Sequence, residues 1–221
     1  EKDYLHWDDK LTIEFNGPRP CVSRLEITPA PEVPTVFLLG DSTVTDQAYE
    51  PWNSWGQMIT RFFKPGIAVA NFAESGESLR SSLGAFRVAK VLSMLRRGDH
   101  VLIQFGHNDM KDKREDALAE YEKNLTELVK NIRCKGAVPV LVTSMERKGG
   151  VTKNTFGDYP DTVKRVAAAE KCALIDLHAT SRTLYAALGA NLDAAFQDGT
   201  HHNNFGSYEI AKCVVEGVRK E

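Results

Sequence analysis

Val36-Phe37-Leu38-Leu39-Gly40-Asp41-Ser42-Thr43 is the stretch from which the fold can be read. An apolar run opened by a β-branched residue stops at a glycine, and a serine follows at once in a turn. A buried strand that ends so abruptly delivers its next side chain to the carboxyl-end rim of a sheet, where open α/β sheets bind their ligands. Ser42 at that rim is either a helix N-cap or a nucleophile. Only the far end of the chain decides between the two.

Downstream of Thr35, strand and helix patterns alternate. Val36–Leu39 reads as the first strand. Trp55 to Phe63 has a helical apolar pattern that stops at Pro65-Gly66, and Ile67–Asn71 is the second strand. Phe86 to Leu95 is helical and closed by Arg96-Arg97-Gly98, and His100–Phe105 is the third strand. Tyr121, Leu125, Leu128, Val129 and Ile132 share one helical face, with Gly136 as the stop signal. Val138–Thr143 is the fourth strand, Pro160–Ala169 a helix and Ala173–Asp176 the fifth strand. A last helix runs from about Phe205 to Val218. Five strands separated by helices predict an α/β fold, a three-layer α/β/α sandwich around a five-stranded parallel sheet.

Upstream, Leu11–Phe15 and Val22–Ile27 alternate apolar and polar residues as strands do, with a turn signal at Asn16-Gly17-Pro18. Pro29-Ala30-Pro31-Glu32-Val33-Pro34 reads as a stiff linker. Residues 1–33 are therefore expected to be a short β segment, either the end of an upstream β-domain or an arm, and residues 34–221 the main domain.

Composition sets bounds on the rest. The chain has 221 residues, 42% hydrophobic and 26% charged, which suits one globular domain with a full core. A formal net charge of −2 gives no electrostatic case for nucleic acid or an anionic membrane surface. No apolar run is long enough to span a membrane. The four cysteines, Cys21, Cys134, Cys172 and Cys213, are scattered without a C-x-x-C pair and read as buried thiols rather than metal or redox groups. The first residue is Glu1, so a removed leader is compatible with the sequence, and a secreted or periplasmic location is expected.

Each strand end should feed the same rim. Gly40-Asp41-Ser42-Thr43 follows the first strand, and Asn71 through Glu74-Ser75-Gly76-Glu77-Ser78 follows the second. Gly106-His107-Asn108-Asp109 follows the third, and Asp198-Gly199-Thr200-His201 precedes the last helix. A serine, a glycine amide, an asparagine amide and an Asp-x-x-His pair meet the needs of acyl transfer: a nucleophile, a base, an orienting acid and oxyanion donors.

These four blocks resemble the signatures of the SGNH (GDSL-type) hydrolase superfamily, named for a Ser, a Gly, an Asn and a His that stand here as Ser42, Gly76, Asn108 and His201 in the same order. The resemblance implies a flavodoxin-like fold, Ser42 as nucleophile, His201 as base and Asp198 as its partner. It also implies an oxyanion hole from the backbone N–H groups of Ser42 and Gly76 and the amide of Asn108, with no cofactor and no metal. Trp52-Asn53-Ser54-Trp55-Gly56-Gln57 and Gly76-Glu77-Ser78-Leu79-Arg80-Ser81 are similar to segments of rhamnogalacturonan acetylesterases. So are Phe105-Gly106-His107-Asn108-Asp109, Leu141 through Arg147, and Asp198 through Asn203. The similarity covers about Pro34 to Glu221. Two departures stand out: Glu77 occupies the place of an arginine, and His202 that of an aromatic.

Some side chains keep two readings. His107 either touches substrate or packs. His202 beside His201 is a substrate contact or a poor metal ligand, because adjacent ligands on one backbone rarely converge. Trp55 reads as a core residue and Trp52, ahead of the presumed helix, as a sugar-stacking platform, whereas Arg80 reads an acidic sugar or makes a structural ion pair. Asp41 is expected to brace its turn, and Asp109 a loop. Asp176 competes with Asp198 for His201. Lys111 through Asp116 reads as a solvated loop. The expected function is a serine esterase removing O-acetyl groups from a carbohydrate, a pectic one such as rhamnogalacturonan, by a monomer without nucleic-acid or membrane partners. The alternatives are a short-chain or lysophospholipid esterase of the same superfamily and a non-catalytic glycan-binding protein.

Overall fold

The computed structural model describes residues 13, 15, 19, 21–29 and 32–219. The chain divides into two units, residues 1–30 and 31–221. In the first unit no described residue lies in a strand, which corrects the reading of Val22–Ile27: Val22, Leu25 and Ile27 are all more than half exposed. Alternation alone does not make a strand without a partner edge and a face to bury. The strand read at Leu11–Phe15 lies largely outside the described residues.

The second unit is the expected α/β sandwich. Its strands are β1 (Thr35–Gly40), β2 (Ala68–Asn71), β3 (His100–Gln104), β4 (Val138–Val142) and β5 (Ala173–Ile175). They form one parallel sheet in the order β2-β1-β3-β4-β5. Parallel strands need crossover connections, and these carry helices α1 (Trp55–Met58), α2 (Leu79–Gly84), α3 (Arg87–Met94), α4 (Ala117–Cys134) and α5 (Tyr159–Glu170), while α6 (Leu177–Leu188) and α7 (Asn204–Val218) follow β5.

Alternation along the strands builds two cores. Val36, Leu38, Leu102, Val140 and Val142 face one layer, where they pack with Trp55 of α1, Tyr185 of α6 and Ile210 and Val214 of α7. Phe37, Leu39, Val101, Ile103 and Leu141 face the other, against Val88 and Val91 of α3, Leu125 and Val129 of α4 and Val163 of α5. The face read on α4 is the buried one. Two helices escaped the sequence reading. In α6 the buried face carries His178 and Ser181 among Leu177 and Tyr185, so its apolar period is broken; α2 is too short to show one. The region read as one helix from Trp55 to Phe63 is a short α1 continued by a 3₁₀ turn, Ile59–Phe62.

No disulfide joins the cysteines among the described residues, and Cys21 and Cys134 are exposed rather than buried. Among these residues no helix is long and apolar enough to cross a membrane.

The sheet order reverses direction between β1 and β3, and the crevice beyond the carboxyl ends of these strands is the ligand position in such sheets. Gly40 pairs with Gln104 at the last step of their register, so the residues after both strands emerge side by side. Gly40 also permits the turn to fold back. A Cβ there would sit 2.6 Å from Val44 Cγ2 and 2.7 Å from the Gln104 carbonyl oxygen. Backbone oxygen cannot give way cheaply, so Gly40→Ala is expected to destabilise the protein by about 1–3 kcal/mol in denaturant unfolding at constant m. An unshifted midpoint would show that the turn tolerates a wider approach.

Candidate active site

The site starts at the turn after β1. Asp41 is fully buried; its Oδ1 accepts the Thr43 N–H at 2.9 Å and the Thr43 hydroxyl at 2.8 Å. Thr43 Oγ1 in turn accepts Gln104 Nε2 at 2.7 Å, and Gln104 Oε1 accepts the Trp55 indole N–H at 2.9 Å. On its other side, Asp41 Oδ2 lies 3.3 Å from His107 Nδ1. A buried polar chain thus ties α1, the end of β3, the Ser42 turn and the loop after β3 into one unit. Burial works to raise the Asp41 pKa, but His107 and the two Thr43 bonds outweigh it and hold the carboxyl below its ordinary value. Asp41 braces the turn, as its sequence position suggests.

From this turn Ser42 Oγ reaches to 2.8 Å of His201 Nε2, and His201 Nδ1 lies 2.9 Å from Asp198 Oδ2. Asp198 Oδ1 accepts the N–H groups of Thr200 and His201, each at 2.7 Å. This Asx-type turn is why the Asp-x-x-His spacing works: the carboxylate organises the backbone that carries its own histidine. Burial pushes the Asp198 carboxyl up, but the bonds from His201 and Thr200 prevail and leave it below its ordinary value. Asp176, the competing partner, is elsewhere: it caps α6, accepts the Thr143 hydroxyl at 3.0 Å and pairs with Lys164 at 3.0 Å.

Opposite the histidine stand Gly76 and Asn108. Gly76 has φ +83°, a left-handed conformation that glycine adopts without strain. Asn108 Nδ2 donates to the Glu77 carbonyl at 2.8 Å, and its Oδ1 accepts Lys111 Nζ at 2.7 Å. One N–H of that amide is held by backbone, which leaves the second for the cleft. Asp109 ties the same two loops together, its Oδ1 accepting the Leu79 N–H at 2.8 Å; burial pushes its carboxyl up to about 7. Ser42, Gly76, Asn108 and His201 line one open cleft of ≈ 470 Å³ with Trp52, Tyr49, Gln47 and Lys111. The Trp52 ring stands edge-on to the His201 imidazole at 5.5 Å, so it both packs on the histidine and walls the cleft.

The other residues read as substrate contacts are not in this cleft. His107 is 2% exposed, held between Asp41 and the Phe156 ring at 4.7 Å. His202 is buried too; its Nε2 meets the Tyr185 hydroxyl at 3.0 Å, and its ring packs on Phe196 at 4.2 Å. It fills an aromatic's place as a packing residue. Arg80 points into a charge network with Asp112 at 3.6 Å and Glu120 at 3.7 Å. Glu77, the reversed charge, shares Arg87 with Glu74, the two contacts being 3.5 and 3.2 Å, is bonded by the Ser81 hydroxyl, and does not line the cleft. Gln47, Tyr49 and Lys111 line the cleft and were not read from the sequence as site residues. Lys111 follows Asn108 by three residues across a 3₁₀ turn, where i and i+3 side chains eclipse. No group of three or more His, Cys, Asp or Glu among the described residues is placed to hold a metal ion.

Two expected outcomes follow from this geometry. Thr43→Val keeps the shape but strips Asp41 of one bond and leaves Gln104 Nε2 unpaired; a loss of about 1–3 kcal/mol in chemical unfolding is expected, and a change within experimental error would refute the network's role. For His202, burial together with His107 and His201 pushes the imidazole down to about 3. The unfolded chain takes up this proton near pH 6.5 while the folded protein refuses it, so stability falls as pH drops from about 6.5 towards 3. His202→Phe should flatten the curve of unfolding free energy against pH in that window; an unaltered slope would contradict it.

Comparisons with known proteins bear on the family and the fold. Residues 38–207 match the GDSL-like Lipase/Acylhydrolase family. The rhamnogalacturonan acetylesterase RhgT of Bacillus subtilis is 35% identical over 207 residues, covering 84% of this chain and 89% of that protein. The crystal structure of YxiM from Bacillus subtilis superposes with a TM-score of 0.79 at 23% identity, covering 86% of this chain and 57% of that longer one. An acetylxylan esterase of Geobacillus stearothermophilus shares the fold at a TM-score of 0.66 and 19% identity, over 84% of this chain and 94% of that one. On its sequence, its sheet order and its four rim segments, the chain belongs to the GDSL-like lipase/acylhydrolase family.

Proposed function

We propose that the protein is a serine carbohydrate O-acetylesterase acting on a pectic polysaccharide such as rhamnogalacturonan through an acetyl-enzyme on Ser42. The observation that carries the reading is the relay Ser42 Oγ–His201 Nε2 at 2.8 Å and His201 Nδ1–Asp198 at 2.9 Å, opening on an accessible cleft. The 35% identity with a rhamnogalacturonan acetylesterase supports the substrate class.

The chemistry follows from the positions. Ser42 Oγ attacks the acetyl carbonyl carbon while its proton passes to His201 Nε2. Asp198 accepts the Nδ1–H, fixing the tautomer and stabilising the imidazolium. The carbonyl oxygen becomes an oxyanion, met by the N–H groups of Ser42 and Gly76 and the free N–H of Asn108. As the tetrahedral adduct collapses, the sugar oxygen leaves with the proton from His201, and the acetyl group stays on Ser42. Water then enters, gives its proton to His201 and releases acetate by the same path. The open cleft suits a small acyl group on a bulky polar leaving group, and Trp52 and Tyr49 offer faces for sugar rings.

Ser42→Ala is expected to lower acetate release from acetylated rhamnogalacturonan by about 10³-fold or more, with an unchanged far-ultraviolet circular dichroism spectrum. Undiminished release would sink the assignment. A series of p-nitrophenyl esters should favour acetate, and a preference for long acyl chains would move the reading to a lipid esterase.

A further inference from the structure

We infer that Lys111 selects, for this cleft, an O-acetylated glycan that carries a carboxylate near the acetyl group, its ammonium meeting a uronate. This rests on the esterase reading above and adds the residue that sets substrate class.

Three observations converge on it. The first is charge balance within the cleft. Among the described residues, no aspartate or glutamate lines it, and Lys111 is its lysine. Nearby Glu74 and Glu77 share Arg87, at 3.2 and 3.5 Å, and both lie outside the lining. An anionic sugar therefore enters without facing a like charge at the wall.

The second is that the neighbouring guanidiniums have carboxylate partners and Lys111 has none among the described residues. Arg80 pairs with Asp112 and Glu120, and Arg114 pairs with Asp112, Asp116 and Glu120. Among the described residues Lys111 has no ion-pair partner; its hydrogen bond goes to the neutral Asn108 Oδ1 at 2.7 Å. That bond uses one of three ammonium donors and leaves two for a ligand.

The third is position. The 3₁₀ turn Asp109–Lys111 sets the ammonium against Asn108 Oδ1, and both residues line the cleft that holds Ser42. A carboxylate on the acetylated residue or the next sugar is within reach of a four-carbon stem. Arg80, which the sequence offered for this task, is turned to its own carboxylates.

Lys111 has a competing role, that of polarising Asn108 from behind, and this would affect every ester alike. The two roles separate in one comparison. Acetate release is measured on acetylated rhamnogalacturonan oligosaccharides with free carboxyls and on the same oligosaccharides with methyl-esterified carboxyls, using the wild-type protein, Lys111→Gln and Lys111→Arg. Wild type should prefer the free acid. In Lys111→Gln the ratio of kcat/KM between acid and ester substrates should fall roughly fivefold, carried by KM, as expected of a solvent-exposed ion pair. Lys111→Arg should retain most of the ratio, and raising salt to about 0.5 M should shrink it in wild type. Equal losses on both substrates, or an unchanged ratio, would overturn the inference while leaving the esterase intact. Faster release from an O-acetylated sialoside than from the uronate would overturn the uronate assignment. No acetate from any wild-type reaction would instead refute the esterase reading, and the selectivity with it.

Discussion

Asp41 anchors the architecture of the site. It sits at the end of a buried strand, without solvent, and its charge is tolerable only because the Thr43 N–H, the Thr43 hydroxyl and His107 surround it. Those partners fix the turn, Gln104 fixes Thr43, and Trp55 fixes Gln104. Losing the Thr43 hydroxyl or Gln104 would leave a buried polar group unpaired, so that part of the network is costly to disturb and steadies the Ser42 turn. The register of β1 with β3 then brings that turn beside Asn108.

The histidine side of the cleft is built differently. His201 and Asp198 lie on a loop ahead of α7, partly exposed, and are organised by local hydrogen bonds rather than by deep burial. His202 anchors that loop from beneath through Tyr185 and Phe196, while Trp52 packs on His201 from the cleft. Two adjacent histidines thus face opposite ways, one to the cleft and one to the core.

Much of this was legible in the sequence. Apolar runs ended by glycines marked the strands because parallel strands are buried on both faces, and the rim segments followed from the strand ends. The Asp-x-x-His pair was readable because its geometry is local. Orientation within loops was not: His107 faces Asp41 and His202 faces Tyr185 for tertiary reasons that no local pattern records. Which carboxylates pair with Arg80 was not readable either, because Asp112 and Glu120 are far from it in the chain. Polar residues on the inner face of α6 hid that helix, and Val22–Ile27 shows strand alternation without a strand.

The central claim is that Ser42 carries the acetyl group. Acid-quenching the protein during turnover of an activated acetyl ester, followed by mass spectrometry of its peptides, tests this directly. The account predicts one added acetyl group on the peptide containing Ser42, and its absence in His201→Ala. Acetate release with the acetyl group on another residue, or with no acetylated peptide when the quench is faster than deacylation, would contradict it.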